Sequence, residues 1–340
     1  PAEQDYTPPR TEQEQVLADV WKEVLQVEVV GIHDNFFTLG GDSIKAIQVA
    51  ARLHRYSLKL EVNHLFQNPT VFELTPYLRA AKSLIDQSLV IGDVSLTPIQ
   101  QWFFNQQFDE PHHWNQDMLL FKEEGYDEAA VEQSFRELVR HHDALRMRYT
   151  HVNGVWKQVN LGLDDQQLAM NVYNLTQSEH LREQIEQKAG ELQESLHIEH
   201  GPLLRLGLFR TRDGDHLLII IHHLVVDGIS WRILLEDFNT IYEQILARQP
   251  IKLPLKTTSF QTWARGLEQY ADSEALLAEL PYWTRIEEAK VVPLSKDRDG
   301  KSTYQIGDSG SVIMELSEEE TRNLLTESHL AYQTEINDLL

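Results

Sequence analysis

Apolar residues over the first eighty positions recur at helical spacing. Val16, Leu17, Val20, Trp21, Val24 and Leu25 form one stripe. Thr11 and Glu14 ahead of them make a capping-box pattern. A long loop follows from Gly31 to Gly41. Long structureless loops are uncommon in compact domains, so Asn35-Phe36-Phe37 in its middle is expected to pin it to a core. A second helix is predicted from about Ser43, carrying Ile44, Ile47 and Leu53 inward. A helical turn around Val62 to Phe66 stops before Pro69. Thr70 and Glu73 repeat the capping-box pattern and open a last helix with Val71, Leu74 and Leu78. Residues from about Thr7 to Arg79 therefore read as a small four-helix bundle.

Beyond Leu96 the pattern is mixed α/β. Helices are predicted over Pro98–Gln106, Asp127–Leu145, Ser178–Leu196, Ser230–Leu246 and Ser259–Trp283, and again from Glu318 to Leu340. Trp263, Tyr270 and Trp283 fall at helical spacing and read as core. Strands are predicted at Asp117–Phe121, Arg146–His151, Val155–Val159, Leu203–Phe209 and Ser311–Leu316. The strongest strand is His216–Ile221, an apolar run that predicts burial on both faces. The expected division is a helical domain over 1–81, a linker over 82–95 without amphipathic period, and a larger α/β domain over 96–340.

Composition changes this picture in three ways. The absence of cysteine excludes disulfides, thiolate metal sites and a cysteine nucleophile, and fits a cytoplasmic location. The N-terminal residues resemble neither a signal nor a transit peptide, and no apolar run approaches the ~20 residues of a membrane span. The net charge of −23 argues against nucleic acid or an anionic membrane as partner. Residues 1–82 carry only −3 of it, and the excess beyond reads as a solvated surface.

Two stretches carry candidate chemistry. In Leu39-Gly40-Gly41-Asp42-Ser43 a glycine pair leads into a helix with a serine in its first turn. A helix N-terminus offers unpaired N–H groups and a partial positive charge to an anion, which suits a phosphate ester on Ser43. The simpler reading makes Ser43 or Asp42 the helix N-cap. In His222-His223-Leu224-Val225-Val226-Asp227-Gly228 two histidines end the strongest strand. Alone they could be structural histidines or half a metal site; with no cysteine, and adjacent side chains at a strand end pointing apart, the metal reading is poor and none is expected. The pairs His112-His113 and His141-His142 read as loop and helix surface. The Asp227-Gly228 pattern at a strand-to-helix turn separates His223 from them.

The first segment resembles a peptidyl carrier protein of a nonribosomal peptide synthetase, through Leu39–Ser43 and the upstream Asp34-Asn35-Phe36-Phe37. The second resembles the condensation/epimerization superfamily, through Pro98-Ile99-Gln100-Gln101-Trp102-Phe103 and His222 to Trp231. Asp42 before the serine is similar to carriers that feed an epimerization domain. The resemblance implies an all-α carrier followed by an α/β, two-lobed domain like chloramphenicol acetyltransferase. It implies 4'-phosphopantetheine on Ser43, loaded by a phosphopantetheinyl transferase. An adenylation domain upstream, a condensation domain downstream and an aminoacyl group on the arm complete its partners. The stretch Glu335 to Leu340 is similar to entry into the family's third motif. The later Glu-Gly-His-Gly-Arg-Glu motif, with a second acid/base glutamate, is expected beyond Leu340, so the C-terminal lobe is incomplete here.

Within that resemblance His223 is the candidate acid/base group, because imidazole titrates near neutrality. His222 supports the loop. Asp227 organises it through an ion pair for which Arg146 is the candidate partner. Gly228 lets the backbone turn tightly and, like Ser230, is a candidate for lying near substrate; Ser230 otherwise caps the helix, and Trp231 packs. The expected reaction converts a carrier-bound L-aminoacyl thioester to the D form by removing and returning the α-proton. A condensation domain and a non-catalytic docking pair are the alternatives.

Overall fold

The computed structural model describes residues 6–53, 56–80, 85–163, 168, 170–292, 295 and 309–328. By its contacts the chain forms two compact units, Leu84–Glu287 and Pro1–Ser83 grouped with Glu288–Leu340.

The first unit contains α1 (Glu12–Leu25), α2 (Ser43–Leu53), α3 (Val62–Gln67) and α4 (Val71–Leu74), and β1 (Leu58–Lys59) pairs antiparallel with β2 (Arg79–Ala80). The capping box at Thr11 forms, with Thr11 Oγ1 accepting from Glu14 N and Glu14 Oε2 accepting from Thr11 N. At Thr70 the N-cap half forms, Thr70 Oγ1 accepting from Glu73 N while its hydroxyl donates to the Glu73 carboxylate. The core joins Leu17, Val20 and Trp21 of α1 to Val49 and Leu53 of α2 and to Leu65, Val71 and Leu74. Phe36 is fully buried with its ring 4.9 Å from Trp21, edge to face, so the long loop is anchored by its aromatic residue. The inward face of α2 differs from the expected one. Ala46, Val49 and Leu53 are buried, while Ile44 and Ile47 are over a third exposed. The helix is turned by about one residue because the packed stripe starts from Ala46.

The second unit holds two sheets. In the larger, β4 (Asn115–Lys122), β9 (Asp215–His222), β8 (Leu204–Arg210) and β7 (Met170–Asn174) lie in that order. Strand β9 is central. Its Leu217, Ile219 and Ile221 join a core with α6 (Glu128–His141) and α8 (Gly228–Leu246). Its Leu218 and Ile220 pack on the other face against Leu192 and Leu196 at the end of α7 (Leu181–Glu194). The continuous apolar run thus covers both faces of a buried strand. The smaller sheet is β3 (Gly92–Val94), β6 (Val155–Asn160) and β5 (Met147–Val152). The short α5 (Pro98–Asn105) follows β3.

Several expectations change. The segment read as a linker over 82–95 includes β3, which pairs with β6 through Gly92↔Asn160 to Val94↔Gln158. A three-residue strand with one buried side chain leaves no periodicity to read. Strand β7 was equally silent in sequence. The helix predicted to Leu145 ends at His141, and Asp143–Arg146 continues as a 3-10 turn. The span Ser259–Trp283 breaks into α9 (Phe260–Ala271), α10 (Glu274–Leu277) and α11 (Leu280–Glu287), with Ser273 capping α10. Trp263, Tyr270 and Trp283 are about half exposed and are not core. Residues 311–316 form no strand, and the final helix is described as α12 (Glu318–Thr326). Residues 329–340 lie outside the described residues.

Two glycines make opposite predictions. A Cβ on Gly41 would sit 2.3 Å from the Phe36 ring and 2.6 Å from its carbonyl oxygen, whereas one on Gly228 would meet nothing within 4 Å. Gly41→Ala is expected to cost the first unit about 1–3 kcal/mol, seen as a lowered transition in calorimetry of the whole chain. Gly228→Ala is expected to leave stability within about 0.5 kcal/mol. Equal melting of the two variants would contradict this packing.

Candidate functional site

The serine site is built by Asp42. Its Oδ1 accepts from Ile44 N and Lys45 N, both at 2.8 Å, so Asp42 caps α2. With the cap filled, Ser43 is exposed and its hydroxyl has no hydrogen-bond partner among the described residues. Lys45 Nζ closes the turn on Gly40 O at 2.6 Å. Gly41 N donates to Phe36 O at 2.9 Å, and this close approach is what requires glycine there. The result is a free hydroxyl at a helix N-terminus, which fits a covalently held phosphate group.

The histidine site grows from the end of β9. His222 is fully buried. Its Nε2 donates to Pro111 O at 2.9 Å and its Nδ1 accepts from Leu224 N at 3.1 Å. Burial pushes its pKa down to about 4, so the ring is neutral and serves as an internal brace. His223, on the alternate side of the strand end, is exposed. Its N donates to Trp114 O. Its Nδ1 lies 2.9 Å from Val226 O. A carbonyl can only accept, so the network assigns the proton of the neutral ring to Nδ1 and the lone pair to Nε2.

A further residue faces that lone pair. Gln116 Nε2 is 3.2 Å from His223 Nε2. Trp231 Nε1 donates to Gln116 Oε1 at 2.9 Å, which fixes the amide with its NH₂ toward the histidine. Sequence reasoning passed over Gln116, and only the β4–β9 register, Gln116↔Ile221, brings it here. The turn is braced below by Gln100 of α5, 4% exposed. Gln100 Nε2 donates to Gln158 Oε1 at 2.8 Å, to Tyr149 Oη at 3.0 Å and, more distantly, to Leu224 O. Its Oε1 accepts from Thr97 N, closing the box that starts α5. The Pro98–Phe103 motif thus ties the loop down from a buried polar cluster in which Tyr149 is held neutral by burial.

The expected ion pair between Arg146 and Asp227 does not form. Asp227 is the N-cap of α8: its Oδ1 accepts from Ser230 N and Ser230 Oγ, both at 2.7 Å. Arg146 is fully buried and donates to carbonyl oxygens of Val139, Arg140, His142, Leu161 and Val90. Those acceptors include the unsatisfied carbonyls at the end of α6, which supply partners a buried guanidinium needs. Ser230 therefore spends its hydroxyl on the cap. Gly228 is the first residue of α8 with open space about it, and no left-handed backbone requires glycine.

Among the described residues His141, His142 and Asp237 form a group with ligand atoms within 4.8 Å of one another. His142 Nε2 and Asp237 Oδ2 are 2.8 Å apart and join α6 to α8, which accounts for the group without an ion. Burial pushes the pKa of His141 down to about 4.

These assignments give two expected outcomes. Asn caps as well as Asp does, so Asp227→Asn should melt within about 0.5 kcal/mol of the parent while Asp227→Ala loses about 1 kcal/mol. An equal loss in both would restore an ion-pair role. His222 also makes stability depend on pH. Above pH 6.5 neither folded nor unfolded state protonates it; between 6.5 and about 4 only the unfolded state does. Stability should fall through that window, by up to about 3 kcal/mol from this ring. Denaturant titrations should show His222→Gln starting lower at pH 7 but falling less, and parallel curves would contradict the assignment.

Residues 90–340 match the condensation domain family, and residues 15–78 match the phosphopantetheine attachment site. Tyrocidine synthase 1 of Brevibacillus parabrevis is 47% identical over 98% of this chain and 31% of its own length. Gramicidin S synthase 1 of Brevibacillus brevis is 47% identical over 99% of this chain and 31% of its own. The chain thus spans about a third of these relatives. A crystal structure of the epimerization domain from the third module of tyrocidine synthetase B superposes with a TM-score of 0.71 at 45% identity, covering 75% of this chain and 58% of that one. The chain therefore belongs to the condensation domain family of the nonribosomal peptide synthetases, here preceded by a carrier domain for covalent 4'-phosphopantetheine.

Proposed function

We propose that this chain epimerizes a carrier-bound aminoacyl thioester, converting L to D by removal and return of the α-proton. The observation that carries the reading is the exposed His223, whose Nδ1–H is committed to Val226 O and whose Nε2 holds the lone pair. An acid/base group in this state can accept a proton without losing its anchor. The epimerization domain of tyrocidine synthetase B as a structural neighbour supports it further.

On this reading α1 to α4 are a carrier bundle, Ser43 is the attachment residue, and the second unit is the N-terminal lobe of a two-lobed enzyme. The phosphopantetheine thiol, once attached, supplies the thioester that makes the α-proton acidic. Asp42 leaves the Ser43 hydroxyl free for a phosphopantetheinyl transferase. His222 and Gln100 brace the loop, and Asp227 starts the helix behind it. The proton's return on the opposite face calls for a second acid/base group. The chain works in the cytoplasm between an upstream adenylation domain and a downstream condensation domain.

Condensation is the second reading, favoured by the family match itself. The two part in deuterated water. The full-length protein, loaded with an L-aminoacyl arm, should wash deuterium into the α-position, and His223→Ala should stop it. A dipeptide formed with a second carrier, without α-exchange, would sink the epimerase reading; unchanged exchange in His223→Ala would sink the catalytic role. Ser43→Ala should take up no phosphopantetheine by mass spectrometry while both units keep their melting transitions. Uptake by that variant would move the attachment residue elsewhere.

A further inference from the structure

We propose that Gln116 is a catalytic donor: its side-chain amide takes the negative charge that develops on the thioester oxygen, while the neighbouring His223 Nε2 takes the α-proton. The inference rests on the epimerase reading and assigns a second group to the same step. Removing an α-proton breaks the Cα–H bond and forms N–H at His223 Nε2. The bonding pair moves into the carbonyl, and the oxygen becomes anionic. A donor aimed at that oxygen lowers the barrier most when it is already oriented.

Three observations place Gln116 in that role. The first is separation. Standard bond lengths put the α-hydrogen and the carbonyl oxygen about 3 Å apart when the C–H bond stands perpendicular to the carbonyl plane, the geometry for proton removal. Gln116 Nε2 and His223 Nε2 are 3.2 Å apart, so one atom can meet the oxygen while the other meets the proton. The second is orientation. A free glutamine amide presents oxygen or nitrogen equally well, but Trp231 Nε1 holds Oε1 at 2.9 Å. Trp231 is itself 3% exposed and packed in the core, so the amide cannot flip without stranding a buried indole N–H. The third is capacity. The amide has two N–H groups, and among the described residues His223 is the only partner its nitrogen has. The arriving α-proton replaces the long hydrogen bond at His223 Nε2, and the amide N–H turns to the oxygen. The imidazolium so formed keeps its Nδ1–H on Val226 O.

The test compares Gln116→Leu and the isosteric Gln116→Glu with the parent, in the full-length protein with its carrier loaded. Both should slow α-deuterium exchange about 10²-fold or more. Nitrogen NMR of the unloaded protein, with labelled histidine, supplies a readout apart from turnover. Val226 still holds Nδ1 in Gln116→Leu, so the His223 signals should keep the Nδ1–H tautomer. A scrambled tautomer would make Gln116 a positioning residue and overturn the donor assignment. Exchange at the parent rate in either variant would overturn it too. Should Gln116→Leu melt early, Gln116→Glu carries the test, since Trp231 can still donate to its carboxylate. His223→Ala separates the two ideas: if exchange stops there but persists in the Gln116 variants, the donor fails and the epimerase reading stands.

Discussion

The carbonyl of Val226 leaves the ring of His223 one arrangement. It accepts a hydrogen bond and can give none, so Nδ1 carries a proton and, in the neutral ring, the lone pair sits at Nε2. That choice depends on the turn between β9 and α8 holding its shape to within a hydrogen bond. The turn is exposed at His223 and Asp227, where loops ordinarily move, yet it is tied from beneath at each polar group. His222 reaches Pro111 and Leu224, Gln100 and Tyr149 reach Leu224, and His223 N reaches Trp114. An uncompensated polar group in such a place costs about 1–3 kcal/mol, so the buried cluster favours one loop conformation over its neighbours.

The sheet serves this turn. Strand β9 is apolar on both faces, so helices cover each side, and a one-residue slip in its pairing with β4 would change which residue lies opposite. Register therefore sets more than stability. It brings Gln116 to the histidine and aligns it with Trp231 of α8. In the first unit the same economy holds on a smaller scale. Asp42 fills the helix cap, and Phe36 presses so close to Gly41 that no side chain fits between.

Much of this was legible from residues in order. The helix caps at Thr11 and Thr70, the aromatic anchor at Phe36, the buried run into His222 and the helix after Asp227 all depend on local sequence. What lay hidden depends on contacts made across the chain. Gln116 is one polar residue at the start of a strand until pairing gives it a partner. Strand β3 has three residues and no period. The resemblance implies an ion pair between Arg146 and Asp227, but the carbonyls at the end of α6 take the guanidinium and a helix cap takes the carboxylate. The inward face of α2 was set one residue off because Ile44 and Ile47 are as apolar as the residues that pack. Apolar identity alone does not say which side of a helix finds a neighbour.

The central claim is that proton transfer at the His223 site inverts the carrier-bound residue. The most direct measurement is the handedness of the amino acid itself. The protein is loaded with an L-aminoacyl arm, quenched after set times, and the amino acid is released by hydrolysis and resolved on a chiral column. The account predicts a mixture of L and D approached with time, and L alone from the His223→Ala protein. Pure L from the unaltered, fully loaded protein would contradict it.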